Sequence, residues 1–145
     1  MLTRGTVDLH DGDVPFFGKI GMKASYRLEM PGYAPFVMQK NVLDAARRSI
    51  TRDKVAFQVA EVVKHFLDTK AQKCTSPLIL DGTSQADRDW QSVWWEVLRH
   101  GAIPFEDIYM TELVQISPSS FQPVLKSPRL PPLEPYEWEL CVLHQ

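Results

Sequence analysis

Cysteine is scarce in this chain. Cys74 and Cys141 are the only two among 145 residues, enough for one disulfide at most and too few for a zinc site by themselves. An intracellular protein keeps such thiols reduced, and both are read as free. Glycine is thin as well: seven residues spread along the chain leave no glycine-rich phosphate loop and no dinucleotide-binding turn. Neither a Gly-x-Ser-x-Gly elbow nor a His-Glu-x-x-His pair occurs. A surplus of one charge is also missing. With 16 Lys and Arg against 18 Asp and Glu, the formal charge of -2 offers no general attraction to a phosphate backbone or an anionic lipid surface. Arg47, Arg48, Arg52 and Lys54 form one small basic group, expected to solvate the start of a helix. No apolar run approaches the ~20 residues of a membrane span, and Met1–His10 lacks the apolar core of a signal peptide. These absences predict a cytoplasmic protein, the nucleus being an alternative, that binds neither nucleic acid nor membrane and holds no metal or cofactor.

What is present is a core. Hydrophobic residues make up 44% and charged residues 23%, in keeping with one globular domain over residues 1–145. Val55, Val59, Val62, Val63, Phe66 and Leu67 recur on a 3.6-residue period, predicting an amphipathic helix within Ser49–Lys73 with Thr51 as its cap. A second stripe, Trp90, Val93, Trp94, Val97 and Leu98, follows Ser84 and Asp87 and ends before Gly101. Trp95 lies off that stripe and is therefore a candidate for partner contact.

Between turns, Ile20, Met22, Ala24, Tyr26, Leu28 and Met30 alternate with polar residues and predict a half-buried strand. A shorter strand is expected within Tyr33–Met38, and a last one where Tyr136, Trp138, Leu140 and Val142 alternate with Glu137, Glu139 and Cys141. Pro77-Leu78-Ile79-Leu80 suits a short strand or a buried loop. Ile103–Ile116 carries a weak helical stripe through Phe105, Ile108, Tyr109 and Leu113. Residues 1–18 are expected to dock loosely through Phe16 and Phe17. The whole order predicts an α+β fold, a small antiparallel sheet with two main amphipathic helices packed on one face.

Candidate chemistry is sparse. His65 and Asp68 share one helix face at i, i+3 and could act as an acid/base pair if Cys74 folded back on them, although a solvated helix face explains them more simply. His10, Asp11 and Asp13 lack the spacing of a calcium loop. Six of the eleven prolines fall within 117–135, which reads as an extended surface loop with polyproline character. Within it Arg129, Pro132 and Pro135 match the Arg-x-x-Pro-x-x-Pro spacing of one class of SH3 ligand, in which a preformed polyproline helix docks on an aromatic groove and the arginine meets acidic residues. The expected function is thus a protein–protein interaction or scaffold domain, as a monomer or homodimer, with Arg129, Pro132, Pro135 and Trp95 as contact residues. The alternative is a small-molecule binder or enzyme with a pocket between helices and sheet.

Ile50-Thr51-Arg52-Asp53-Lys54-Val55 with its helix, then Trp94-Trp95, Asp107-Ile108 and Glu137-Trp138-Glu139-Leu140 resemble the pattern of an uncharacterised domain family found mainly in basidiomycete fungi. Ser117-Pro118-Ser119-Ser120-Phe121 stands where that family places a glycine after an aromatic residue. The resemblance implies no activity and assigns no site residues.

Overall fold

Both helices and the first two strands of this chain follow their own sequence patterns, but the last two strands and the order in which the strands pair do not. The computed structural model describes residues 13–18, 21–101 and 103–128. In chain order these form β1 (Lys23–Leu28), β2 (Phe36–Asn41), α1 (Arg52–Phe66), α2 (Gln85–Arg99), β3 (Tyr109–Ser117) and β4 (Ser120–Lys126). One π-helical turn, Leu67–Ala71, prolongs α1, and a short 3-10 turn, Phe105–Asp107, precedes β3. The fold is α+β, as expected. The C-terminal strand anticipated at Tyr136–Val142 lies outside the described residues, as does the second half of the proline-rich stretch.

The sheet is four-stranded in the order β2-β1-β4-β3. It is mixed rather than antiparallel, because β1 and β4 run parallel through Ser25↔Ser120 and Tyr26↔Phe121, while β1–β2 and β3–β4 are antiparallel. Parallel neighbours need a long crossover, and here both helices and β3 lie within it. Ala24, Tyr26 and Leu28 of β1 point inward at 0–1% exposure, so the alternation seen in the sequence is the pleat itself. The same alternation predicts Met22 inside, yet it is 69% exposed just before the strand begins.

Two segments contradict local expectation. Tyr109–Ser117 is a strand and not a helix, rich in the Tyr, Thr, Val and Ile that suit a pleated surface. Its partner β4 crosses the stretch that the prolines suggested would be an extended loop. Pro118 sits in the Ser117–Ser120 turn, where a fixed φ is useful. Pro123 lies inside β4 opposite Leu113. It is tolerated because the β1 ladder ends at Phe121, so no strand on that side asks Pro123 for an N–H. Bulges between Met110 and Glu112 and between Gln115 and Ser117 adjust the hairpin's register.

α1 packs its Val55, Val59, Val62, Val63 and Phe66 stripe into the core at 0–2% exposure. Each such side chain contributes roughly 1.5–3 kcal/mol of gross transfer free energy. Thr51 does not cap the helix with its hydroxyl, since its backbone pairs instead with Pro15. Gln58 ties α1 to two strands at once: the Tyr26 hydroxyl donates to its Oε1 at 2.8 Å, and its Nε2 donates to the Asn41 carbonyl at 2.7 Å. Phe17 is buried, and its ring meets Phe121 at 5.1 Å, so residues 13–18 dock on the core through their aromatics, while residues 1–12 of the expected docking segment lie outside the described residues.

The 41–48 stretch is a turn. Asp44 Oδ1 accepts from the backbone N–H groups of Arg48 and Ala46 at 2.9 Å each, bonds that together with the Arg48 guanidinium hold the carboxyl below the usual aspartate range. The turn forces Arg47 to φ 59, a left-handed conformation that side-chain-bearing residues rarely adopt. Arg47→Gly is therefore expected to stabilise the protein by about 0.5–1 kcal/mol. Urea denaturation would show a raised midpoint with an unchanged slope, and a lowered midpoint would refute the strain.

Candidate functional site

The end of the sheet where β1 stops is walled by three separate segments. Beyond Leu28 the chain turns through Glu29-Met30-Pro31-Gly32-Tyr33, and Gly32 takes φ +83. The Leu78 N–H donates to the Gly32 carbonyl at 2.8 Å, which pins the 77–81 segment alongside this turn. The third wall is the first half of α2. Ser84 starts that helix by accepting the Asp87 N–H at 3.2 Å, which makes it the N-cap that the sequence suggested. Together they enclose a groove of about 450 Å³, open to solvent along one side.

Its lining is mostly apolar, with Arg27, Glu29, Asp87 and Gln91 as its charged and amide members. Met30, Pro31, Pro35, Leu78, Leu80 and Trp90 supply the surface. Leu78 is 50% and Leu80 72% exposed, large for leucines flanking a concavity. Neither a strand nor a buried loop forms at Pro77–Leu80, contrary to expectation, because its backbone is spent on holding a ledge against Gly32 and not on a sheet. Arg27 and Glu29 pair at 2.8 Å across the rim. Asp87 also lines the groove, and its carboxylate has no ion-pair partner among the described residues.

Behind the groove, the turn is anchored by Tyr33. Its hydroxyl donates to the Ala71 carbonyl at 2.8 Å and lies 3.5 Å from the Trp95 carbonyl, linking the π-helical turn to α2. Its ring packs edge-on to Phe66 at 5.1 Å. Burial, and secondarily the nearby Cys74 thiol, pushes the Tyr33 phenol up to about 12. A raised folded-state value means that burying neutral Tyr33 contributes stability fully present below pH 10 and lost as pH climbs towards 12. Alkaline unfolding is thus expected to set in within that window, with Tyr33 ionising only as the chain opens. Phenolate absorbance followed beside circular dichroism would check this, and a Tyr33 signal that titrates freely in the folded state would sink it.

The residues singled out from sequence fall in different places. Trp95, expected off the buried stripe, is itself buried: it is 7% exposed, its side chain faces Gly32, and the Arg99 guanidinium lies 5.1 Å from its ring centroid. The buried face of α2 is Trp94, Trp95 and Leu98, while Val93 turns outward at 47% exposure and Trp90 is half-buried on the groove wall. The buried face widens to take in Trp95, for which glycine at position 32 leaves room, while Trp90, Trp94, Val97 and Leu98 of the expected stripe still pack on the core. His65 and Asp68 are not brought together. Asp68 accepts from Lys64 at 3.1 Å, and the His65 ring stacks on Phe36 with centroids 5.8 Å apart. The Cys74 thiol donates to the Ser76 carbonyl at 3.0 Å. In the basic group, Arg48 is held by Asp44 at 3.2 Å. Arg129, Pro132, Pro135, Cys141, His10 and His144 lie outside the described residues. Among the described residues no three His, Cys, Asp or Glu side chains are placed to hold a metal ion, and no helix is long and apolar enough to cross a membrane.

A second, smaller concavity of about 270 Å³ lies beside the β3–β4 hairpin against Phe16 and Phe17. α1 and the sheet share one hydrophobic cluster, and its members Met30, Tyr33, Phe17 and Phe121 reach the walls of the two concavities. The architecture defines the class: an α+β domain with a mixed sheet and an open groove of about 450 Å³ at one end of it. No protein-family model, curated protein or solved structure matches the chain.

Proposed function

We propose that this chain is a protein–protein interaction module that takes an extended, proline-bearing peptide with a basic residue along the groove at the end of β1. The observation that carries this reading is the Leu78–Leu80 ledge, which leaves two leucines largely exposed beside the half-buried Trp90. An apolar channel floored by an indole and by Pro31 and Pro35 suits a polyproline-like chain, which presents no unpaired hydrogen-bonding edge of its own. Asp87 supplies the charge that a basic side chain would seek. A groove open along its length favours a chain segment over a small molecule, whose sites bury most of the ligand's surface.

Peptide display against the purified full chain tests it. Proline-containing sequences with an arginine or lysine are expected to be enriched, with affinities of the order of micromolar to millimolar. Leu80→Asp is expected to weaken them about ten-fold while leaving the thermal midpoint in place, since its side chain is 72% exposed. A library that yields no enrichment, or enrichment indifferent to Leu80→Asp, would overturn the groove as a peptide site.

A further inference from the structure

Among the described residues the sheet ends on β2 at one side and β3 at the other, and the two edges are built differently. β2 is six residues long, carries Lys40 beside its end, and has its Asn41 carbonyl taken by Gln58. Short length and lysine are usual protections of an edge strand. β3 has neither. Over nine residues it holds no lysine, arginine or proline and a single charge, Glu112, while Tyr109, Val114 and Ile116 are exposed. We propose that the β3 edge docks a second copy of this chain, strand against strand and antiparallel, with Val114 of the two copies facing each other on a two-fold axis.

The backbone sets the register. Ser119 turns its carbonyl to β1, where it accepts the Ser25 N–H at 2.8 Å. Phe121 and Pro123 share its parity and so face away from β3, and Pro123 has no N–H to give in any case. Their partners on β3, Gln115 and Leu113, therefore form non-hydrogen-bonded pairs with β4 and direct their N–H and C=O groups outward. No described strand lies beyond them to take these groups. Pairing about Val114 sets Leu113 opposite the partner's Gln115 and Gln115 opposite the partner's Leu113, which closes four backbone bonds. Only the regular run Glu112–Gln115, between the two bulges, is needed. Centring on Leu113 instead would call on Thr111, at a bulge.

The side chains agree with this register. On the outer face Val114 meets its copy as a non-hydrogen-bonded pair, about 4.5 Å between Cα atoms. The two Glu112 residues then fall on either side of the axis, roughly 14 Å apart along the strands, so like charges are not opposed. With Leu113 on the axis they would be diagonal neighbours. On the other face Leu113 and Gln115 line the concavity of about 270 Å³ together with Phe16, Phe17 and Phe121. The partner's Leu113, opposite Gln115, brings an apolar side chain to a cavity that one copy leaves open. Main-chain bonds with a side-chain pocket beside them are the working parts of strand addition, and the two-fold axis makes the same patch serve both copies. The contact is small beside the ~1,600 Å² of a standard interface, so the dimer is weak and concentration-dependent.

Sedimentation velocity on the full chain is expected to show dimer growing with concentration. Val114→Lys is expected to weaken association at least about ten-fold by setting two ammonium groups opposite each other. Its thermal midpoint in dilute solution should stay in place, because Val114 is 37% exposed. In a Cys74→Ser/Cys141→Ser background, Val114→Cys is expected to give a disulfide-linked dimer on mild oxidation, and Glu112→Cys is not, its two copies lying too far apart. Amide exchange at Leu113 and Gln115 should slow as concentration rises. A monomer at every concentration would overturn the proposal, as would a dimer indifferent to Val114→Lys or linked equally well from position 112. Slow exchange at both amides at every concentration would also overturn it, in favour of another segment of the same chain on that edge.

Discussion

Alanine at position 32 is expected to be among the most damaging single changes in this protein, at about 2–5 kcal/mol. Two independent terms add. Gly32 holds φ +83, which an alanine adopts only at a cost of about 1–2 kcal/mol. A Cβ built there would also lie 2.6 Å from the Trp95 Cβ and 3.0 Å from its Cγ, so something packed must shift, for about 1–3 kcal/mol more. The displaced atoms belong to the base of a tryptophan fixed on α2 and not to the far end of a flexible side chain, which removes the easy escape. Since the Gly32 carbonyl also holds Leu78, the groove ledge should loosen along with the core. A thermal midpoint lowered by several degrees per kcal/mol and sharpened exchange at the Leu78 amide would confirm the contact. A midpoint within a degree of wild type would show that α2 is not where the structure has it.

Trp95→Ala is expected to cost about 3–5 kcal/mol, a large part of the 5–15 kcal/mol that holds a typical domain together. The indole is 7% exposed within the main hydrophobic cluster, and its loss leaves a cavity between α2 and the β1–β2 turn. Arg99, stacked over the ring, would lose that contact as well. A residue serving only as contact surface would give the opposite result, weakened partner binding at unchanged stability. Chemical denaturation separates the two outcomes. The Trp95→Ala background also probes the Gly32 contact: alanine retains the Cβ that sits 2.6 Å away, so most of the Gly32→Ala penalty should persist in the double mutant.

The groove was only partly legible. Pro31-Gly32 announced a turn, and Ser84 with Asp87 announced the start of α2, because both are local hydrogen-bonding and φ preferences. Leu78 and Leu80 read as buried because an apolar run between a proline and an Asp-Gly pair usually is. What exposes them is a single backbone bond to Gly32, forty-six residues away in sequence. Trp95 was assigned to the outer side of α2 for a related reason. Periodicity gives a stripe's spacing, while its centre depends on which neighbour can accept an indole, and only glycine at 32 can.

By itself, the sequence determined that there is an α+β core with Tyr26, Leu28 and the Val55–Phe66 stripe inside it. It determined where α2 begins. These follow from side-chain alternation, helical period and capping, all of which act over a few residues. Only the tertiary structure decided that Tyr109–Ser117 is a strand, that β4 accepts Pro123, and that β1 and β4 run parallel. A strand's identity at that length is settled by the partner that satisfies its backbone, and the partner is chosen by the burial of the whole chain. The groove exists for the same reason: it is the space left where β1 ends, α2 begins and the Leu78 backbone closes onto Gly32.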